Sequence, residues 1–424
     1  MRDLFGDELA KIRYLESKFR NVVERAGYSE IVTPIVEDVK LFTLKGGEEI
    51  RRTIYVFKDK AEREIALRPE FTPSVARVYL NYFQHYPKPI RFYYIGTVYR
   101  YDEPQFGRYR EFRQAGVELL GSESILADIE MLQLLIEFFS EINLYNKIKI
   151  KINNIAIFKE ILNRNKVNEE DQEHFLHLVD KNKVNEALEY LKSKNINEID
   201  LEIIQNMLIN KLEYKNYNKL VEYIREKKRD NLLPHIERLF NIVNIMNNLG
   251  YSDIIEVDIG FVRGLAYYTG IIFEVTHPEV SFSIAGGGRY DELIKLYSGN
   301  ENLPAIGFAI GLERTSMLIK DSYKQNTASV KIGMIIINEN EKIVSYALNV
   351  LSLLRKQNLS VILNLKDSNI SKLISFYANL NFDYLIIIGN KEFENKTVII
   401  KNLKTRQQIE LPFDKISEIS TRVV

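Results

Sequence analysis

The groups best suited to chemistry cluster between Tyr99 and Glu118, in the run YRYDEPQFGRYREFRQAGVE. Arg100, Arg108, Arg110 and Arg113 fall within fourteen positions, and each guanidinium stays charged and can grip phosphate or carboxylate oxygens with two parallel hydrogen bonds. Pro104 and Gly107 mark a chain reversal, so the flanks read as antiparallel strands joined by a loop. Alternation along the return strand puts Arg108, Arg110, Phe112, Gln114, Gly116 and Glu118 on one face. That face is a floor for a ligand with phosphate, base and amine parts, although a charged surface hairpin laced with Arg and Glu pairs would share its composition.

Other segments carry related groups. Arg68 to Thr72 follow a predicted hairpin, TIYVFKD then REIALRP, and there Glu70 and Thr72 read either as a helix-start device or as an ammonium-binding pair. Three later pieces, VRGLAYYTG, AGGGRYD and GFAIGLER, each join a glycine hinge to an arginine. Gly286, Gly287 and Gly288 would let the backbone approach a ligand or take positive φ, but their spacing is not that of a Walker loop or a dinucleotide fingerprint. Arg314 falls near a predicted helix start, where anions are favoured; a solvated helix residue is the plainer alternative. Seven arginines in such places, Arg100, Arg108, Arg110, Arg113, Arg263, Arg289 and Arg314, point to a nucleoside triphosphate. No activated Ser, Cys or His nucleophile accompanies them, so the expected chemistry is in-line attack by a bound substrate on a phosphate, driven by positioning and charge neutralisation.

The elements that must hold these groups follow from periodicity. Asp7 to Ala26 is an amphipathic helix stopped at Gly27, and YSEIVTPIVED holds a short strand ending at Pro34, at an edge or interface. Ser124 to Ile142 reads as a long helix and Lys147 to Ile152 as a strand. Residues 156–248 switch to Asn, Lys, Glu, Ile and Leu in helical periods without a single glycine, an inserted helical subdomain. His174 and His177 share one of its helices, but no third ligand is evident, so packing is favoured over a metal. After the polar linker SYKQNTA, apolar strands alternate with amphipathic helices in a small α/β domain, closed by a hairpin whose turn carries Lys401, Lys404 and Arg406. The expected organisation is a domain over 1–325 interrupted by the insertion at 156–248, then an α/β domain over 329–424.

Composition sets outer bounds. Lys plus Arg and Asp plus Glu both number 58, so a polyanion must be met by local patches. Cysteine is absent, which excludes disulfides and thiolate chemistry. No run approaches the ~20 apolar residues of a membrane span, and a cytoplasmic protein is expected.

Thr33 and Pro34, YRYDEPQFGRYREFRQ at 99–114 and GFAIGLER at 307–314 resemble, in order, the three motifs of class II aminoacyl-tRNA synthetases. VRGLAYYTG and AGGGRYD resemble the pair peculiar to the histidyl-tRNA synthetase family, and the trailing domain resembles its anticodon-binding domain. The likeness spans almost the whole chain and implies an α+β fold: an antiparallel-sheet catalytic domain with a helical insertion, then the α/β module. It implies a homodimer, with the Thr-Pro motif at the interface, that activates L-histidine with ATP and Mg2+ and transfers histidyl to tRNA(His).

Residue by residue, the resemblance implies that Arg100 holds the ATP α-phosphate, Phe112 stacks on adenine and Asp102 accepts from its amino group. Arg108 would face the phosphates, and Arg314 would bind the far end of the triphosphate or stack on adenine. Glu70, Thr72 and Gln114 would fix the ammonium and carboxylate of histidine, with Arg263 steadying the α-phosphate during attack. Glu118 and Tyr268 would read the imidazole, with Tyr267 and Tyr290 in the pocket wall. A neutral imidazole offers one donor and one acceptor, so a selective pocket needs a fixed acceptor at one end and a hydroxyl at the other. Two departures stand out: Ala266 replaces the usual Asp beside Arg263, and Asp102 stands in a loop that is usually Glu-centred. The alternative is a catalytically silent, synthetase-like regulatory subunit of ATP phosphoribosyltransferase, against which the C-terminal domain and the retained arginines weigh.

Overall fold

The first helix, α1 (Gly6–Arg25), shows how the sequence builds the scaffold. Its stripe of Ile12, Leu15, Phe19, Val22 and Val23 is buried, and Phe19 meets the rings of Tyr93, Phe138 and Phe308 edge-on at 5.8–6.4 Å. Gly27, at φ 82°, then turns the chain out of the helix. The computed structural model describes all residues except 45–51, 102–105, 211–215, 264–266, 321–322, 324–329, 338–339, 358, 367 and 419–424. The chain divides into two units, Met1–Ser322 and Tyr323–Val424.

The first unit is organised on an eight-stranded sheet in the order β1-β5-β6-β11-β10-β9-β7-β8. Its strands are β1 (Ser29–Glu30), β5 (Ile90–Tyr99), β6 (Glu111–Leu120), β7 (Lys149–Asn154), β8 (Ile255–Val257), β9 (Ile271–Thr276), β10 (Ala285–Arg289) and β11 (Ala305–Gly311). The central pairings are antiparallel, while β1 runs parallel to β5 and β7 parallel to β8. A smaller sheet, β2 (Val36–Asp38), β4 (Glu64–Leu67) and β3 (Tyr55–Lys58), carries the expected hairpin. The strand expected to end at Pro34 is only two residues long. Beyond it the chain is tied to Arg68, whose buried guanidinium donates to the Thr33 carbonyl at 2.7 Å and the Thr97 carbonyl at 2.8 Å.

Helices from Ala156–Arg164 to Leu233–Asn248 leave and return through the hydrogen-bonded pair β7 and β8. The asparagine richness of this stretch has a local cause. Asn168, Asn197 and Asn216 cap helix N-termini with their side chains, and Asn182 and Asn195 occupy the left-handed region after helix ends. His174 packs edge-on against Tyr190 at 4.6 Å. Among the described residues no group of three or more His, Cys, Asp or Glu side chains could hold a metal ion.

Of the two roles expected for the glycines of AGGGRYD, the positive φ is not found, whereas Gly286 lines an arginine-bearing cavity. Gly286, Gly287 and Gly288 lie in strand β10, and none has a positive φ. Arg289 points away from any ligand: it is 4% exposed and donates to Asp128, itself fully buried, at 2.7 and 2.9 Å. Asp128 also accepts from Arg238 at 2.9 Å, so one carboxylate ties β10 to the helices Ile125–Glu141 and Leu233–Asn248. Asp128→Ala is expected to cost about 3–5 kcal/mol, because it strands a buried guanidinium; urea unfolding measures this.

In the second unit, β13 (Ser360–Leu363), β12 (Lys331–Ile336) and β14 (Tyr384–Ile388) are parallel, and the hairpin β15 (Thr397–Asn402) and β16 (Gln408–Pro412) extends the sheet antiparallel. Helix Glu341–Lys356 packs Ala347, Val350 and Leu354 onto Ile332, Met334 and Ile386. No helix among the described residues is long and apolar enough to cross a membrane.

Candidate active site

Strand β6 makes the floor. Phe112 and Gln114 line a cavity of about 270 Å³, whereas Arg113 points to the opposite face and pairs with Glu16 of α1, as period-two alternation requires. Arg113 is therefore not a ligand group. Arg110 lies over the Tyr101 ring at 4.5 Å. Arg108 lines the cavity but precedes the regular strand. Glu118, two turns of the pleat beyond Gln114, is 1% exposed. Its carboxylate accepts from Thr72 Oγ1 at 2.7 Å, from the Tyr94 hydroxyl at 3.3 Å and from the Tyr290 hydroxyl.

Room for this carboxylate comes from Gly307, which faces Glu118 across β6 and β11. A Cβ there would sit 1.8 Å from Glu118 Oε2. Thr72 thus serves the acid and does not cap: the helix Thr72–Val78 has Phe71 as its N-cap and no side-chain cap bond. Tyr94 has no counterpart among the residues singled out from sequence. It stacks on Phe71 at 4.1 Å, and Arg68 lies 4.0 Å over that same Phe71 ring, so a single stack links the Thr33-Pro34 segment to the pocket.

The cavity holds buried polar atoms with no hydrogen-bond partner among the described residues: Glu70 Oε1, Gln114 Oε1 and Arg263 Nε. Such atoms are rare in folded proteins because each forfeits its hydration. Three in one cavity mark a place for a polar ligand. The second oxygen of Glu70 accepts from Tyr267 at 2.6 Å, and the Tyr267 ring lies 5.1 Å from Tyr268 and 5.9 Å from Tyr290. Burial pushes the Glu70 carboxyl above its ordinary range despite Tyr267, Arg100 and Arg263.

Basic groups hold the other end. Arg100 donates from Nε to the Pro69 carbonyl at 2.9 Å and lies 5.7 Å over the Phe112 ring. Arg314, in the short helix Leu312–Ser316 that follows β11, donates to the carbonyls of Gly107 and Ser283 at 2.8 and 3.0 Å and lies 4.9 Å over Phe282. The Gly107 turn, at φ 74°, is thereby locked to the Gly311 to Arg314 segment. Asp102 and Ala266 lie outside the described residues.

Burial also lifts Glu118 to about 7, outweighing the three hydroxyls that favour its charge. A carboxyl with a raised folded pKa binds its proton more tightly when folded, so its contribution is full below the unfolded value and lost as pH rises through about 7. Glu313, which accepts from the Arg113 backbone N–H at 2.8 Å, is raised by burial to about 7 as well. The ligand-free protein is expected to lose stability between about pH 4.5 and 7. Glu118→Gln should flatten part of that slope in urea titrations across the window, leaving the Glu313 share.

The family model described as histidyl-tRNA synthetase matches residues 1–315, and that described as anticodon binding domain matches 331–421. The chain belongs to the histidyl-tRNA synthetase family. It is 52% identical over 425 residues to the histidine–tRNA ligase of Sulfurisphaera tokodaii, covering 100% of this chain and 98% of that one. With the histidine–tRNA ligase of Sulfolobus acidocaldarius it shares 51% identity over 99% and 96% of the two chains. Among solved structures, histidyl-tRNA synthetase from Nostoc sp. PCC 7120 superposes with TM-score 0.72 at 25% identity, covering 99% of this chain and 97% of that one. A Bacillus halodurans protein titled ATP phosphoribosyltransferase regulatory subunit/histidyl-tRNA synthetase gives 0.75 at 20% identity over 92% and 97%, a likeness of fold.

Proposed function

We propose that the cavity condenses L-histidine with ATP to histidyl-adenylate and pyrophosphate, and that the enzyme then passes histidyl to the 3′ end of tRNA(His), releasing AMP. The observation that carries this is the set of unpartnered buried atoms, Glu70 Oε1, Gln114 Oε1 and Arg263 Nε, in one arginine-lined cavity. A histidine bound among them meets each group with its complement. Glu118 accepts from one imidazole nitrogen while the Tyr268 hydroxyl answers the other, with Tyr290 fixing the acid and Tyr267 orienting Glu70. Glu70, with Thr72 and Gln114 beside it, takes the ammonium, leaving the substrate carboxylate towards Arg263.

In-line attack by that carboxylate oxygen on the α-phosphorus forms the new P–O bond as the bond to pyrophosphate breaks. Arg263 and Arg100 neutralise the charge gathering on the phosphoryl oxygens. Phe112 and Arg314 sandwich the adenine, with Asp102 on its amino group, and Arg108 steers the outer phosphates. Magnesium arrives with ATP as part of the substrate and neutralises the phosphates. The expected result is histidine-dependent exchange of pyrophosphate into ATP, followed by histidylation of tRNA(His). Histidine binding without exchange would instead favour a silent regulatory subunit; the match of residues 331–421 to an anticodon-binding domain weighs against that.

A homodimer is part of the reading. Val32, Ile35 and Val36 flank Thr33 and Pro34 at 89%, 43% and 42% exposure, and apolar side chains gathered on an exposed edge suit a subunit contact. Light scattering tests it, a monomer mass being the contrary outcome. Its substrates put the enzyme in the cytoplasm, which cell fractionation checks. The functional domains proposed are 1–325, with its insertion at 156–248, and 329–424.

A further inference from the structure

Arg263 is half-buried, with the Tyr268 hydroxyl against its guanidinium. Its Nη1 donates to the Phe273 carbonyl at 3.5 Å, a long contact, and its Nε has no partner among the described residues. The guanidinium rests where Gly286 has no side chain; a Cβ there would lie 1.9 Å from Nη1. Across the sheet Gly286 faces Glu274 of β9, which also lines the cavity, but Glu274 shares its charge with Lys151 at 3.8 Å. A second carboxylate in the wall comes from outside the sheet. Asp180 is the last residue of the insertion helix Glu169–Asp180, which is anchored by buried Phe175, Leu176 and Val179. Burial works against the charge of Arg263, but Tyr268, Glu274 and Asp180 favour it and the net effect is upward.

We propose that Asp180 is a positioning residue for adenylation: a carboxylate delivered to the cavity wall by the helical insertion, whose charge orients the Arg263 guanidinium and makes the insertion part of the chemical site. This rests on the role given to Arg263 above. A carboxylate in the wall of the same cavity orients the guanidinium through its charge, which the one long hydrogen bond to the Phe273 carbonyl does less firmly. The arrangement separates two effects of opposite sign. Removing Asp180's charge makes the cavity more positive and by itself strengthens ATP binding, whereas losing the positioning of Arg263 slows the attack.

The test is pyrophosphate exchange by the full-length enzyme and its Asp180→Asn, Asp180→Glu and Arg263→Lys variants. For Asp180→Asn the expected result is a fall in kcat of about tenfold, with KM for ATP unchanged or lower. Asp180→Glu should recover most of the rate, and in an Arg263→Lys background Asp180→Asn should change kcat by less than about twofold. A normal kcat in Asp180→Asn, a kcat that rises, or the full tenfold loss in the Arg263→Lys background would overturn the proposal. Wild-type enzyme without exchange would sink the adenylation reading itself and this one with it. Normal wild-type exchange beside an unaffected Asp180→Asn variant sinks this inference alone.

Discussion

Arg263→Ala is expected to slow histidyl-adenylate formation by about 10²–10³-fold while leaving ATP affinity within about threefold. The asymmetry follows from where the guanidinium sits. Arg100, Arg108 and Arg314 remain to bind the nucleotide, and all line the same cavity, so ground-state binding is shared among several cations. Charge that develops only as the carboxylate attacks falls to the group between the two reactants, and Arg263 Nε is the buried donor there without a partner. Interactions made only in the transition state appear in kcat. Single-turnover adenylate formation, with ATP binding followed by calorimetry, separates the two quantities. A variant that forms adenylate within about fivefold of the native rate contradicts the role given to Arg263.

Glu118→Gln should weaken histidine by about 10–100-fold and ATP by less than about twofold. The acid is 1% exposed and accepts from three hydroxyls, so its neighbours are arranged for an acceptor. A glutamine presents a donor on one side of its amide, which must then face either the ring of hydroxyls or the imidazole N–H. Either the hydroxyls must turn to accept in place of donating, or the imidazole N–H loses its acceptor. Calorimetric titration of each ligand reads the split, and equal losses for histidine and ATP would show that Glu118 acts through the fold and not on the side chain of the substrate.

Local periodicity carries far in this chain. The α1 stripe, the alternation on β6, the 53–67 hairpin and the glycine-free helical stretch are each written in neighbouring residues, because burial on one face selects the period. Asn168, Asn182, Asn195, Asn197 and Asn216, read as composition, turn out to be caps and left-handed turn residues, a local meaning in the sequence that composition alone does not express. Alternation on β6 likewise separates Phe112 and Gln114 from Arg113 before any coordinates exist.

Arginine counting fared worse. Arg110, Arg113 and Arg289 resemble Arg100 and Arg263 in type and setting, yet Arg113 pairs with Glu16 and Arg289 with Asp128, more than a hundred positions away for Arg289. Nothing near them in sequence announces those partners. The positive φ expected of the glycine triplet is absent for the same reason, since its need for small side chains arises from Arg263 and from β9 and β11 packed beside it, while Gly286 does line the cavity.

From sequence alone, then, come the elements, their faces and the candidate ligand groups along 99–118, all consequences of period and residue type within a few positions. Tertiary packing settled which arginines face the cavity and that Thr72 serves Glu118 in place of capping its helix. It also revealed Tyr94 behind the acid and Asp180 reaching in from the insertion. These depend on strand register and on contacts between distant segments, where one missing side chain, at Gly307 or Gly286, decides what a charged group opposite can do.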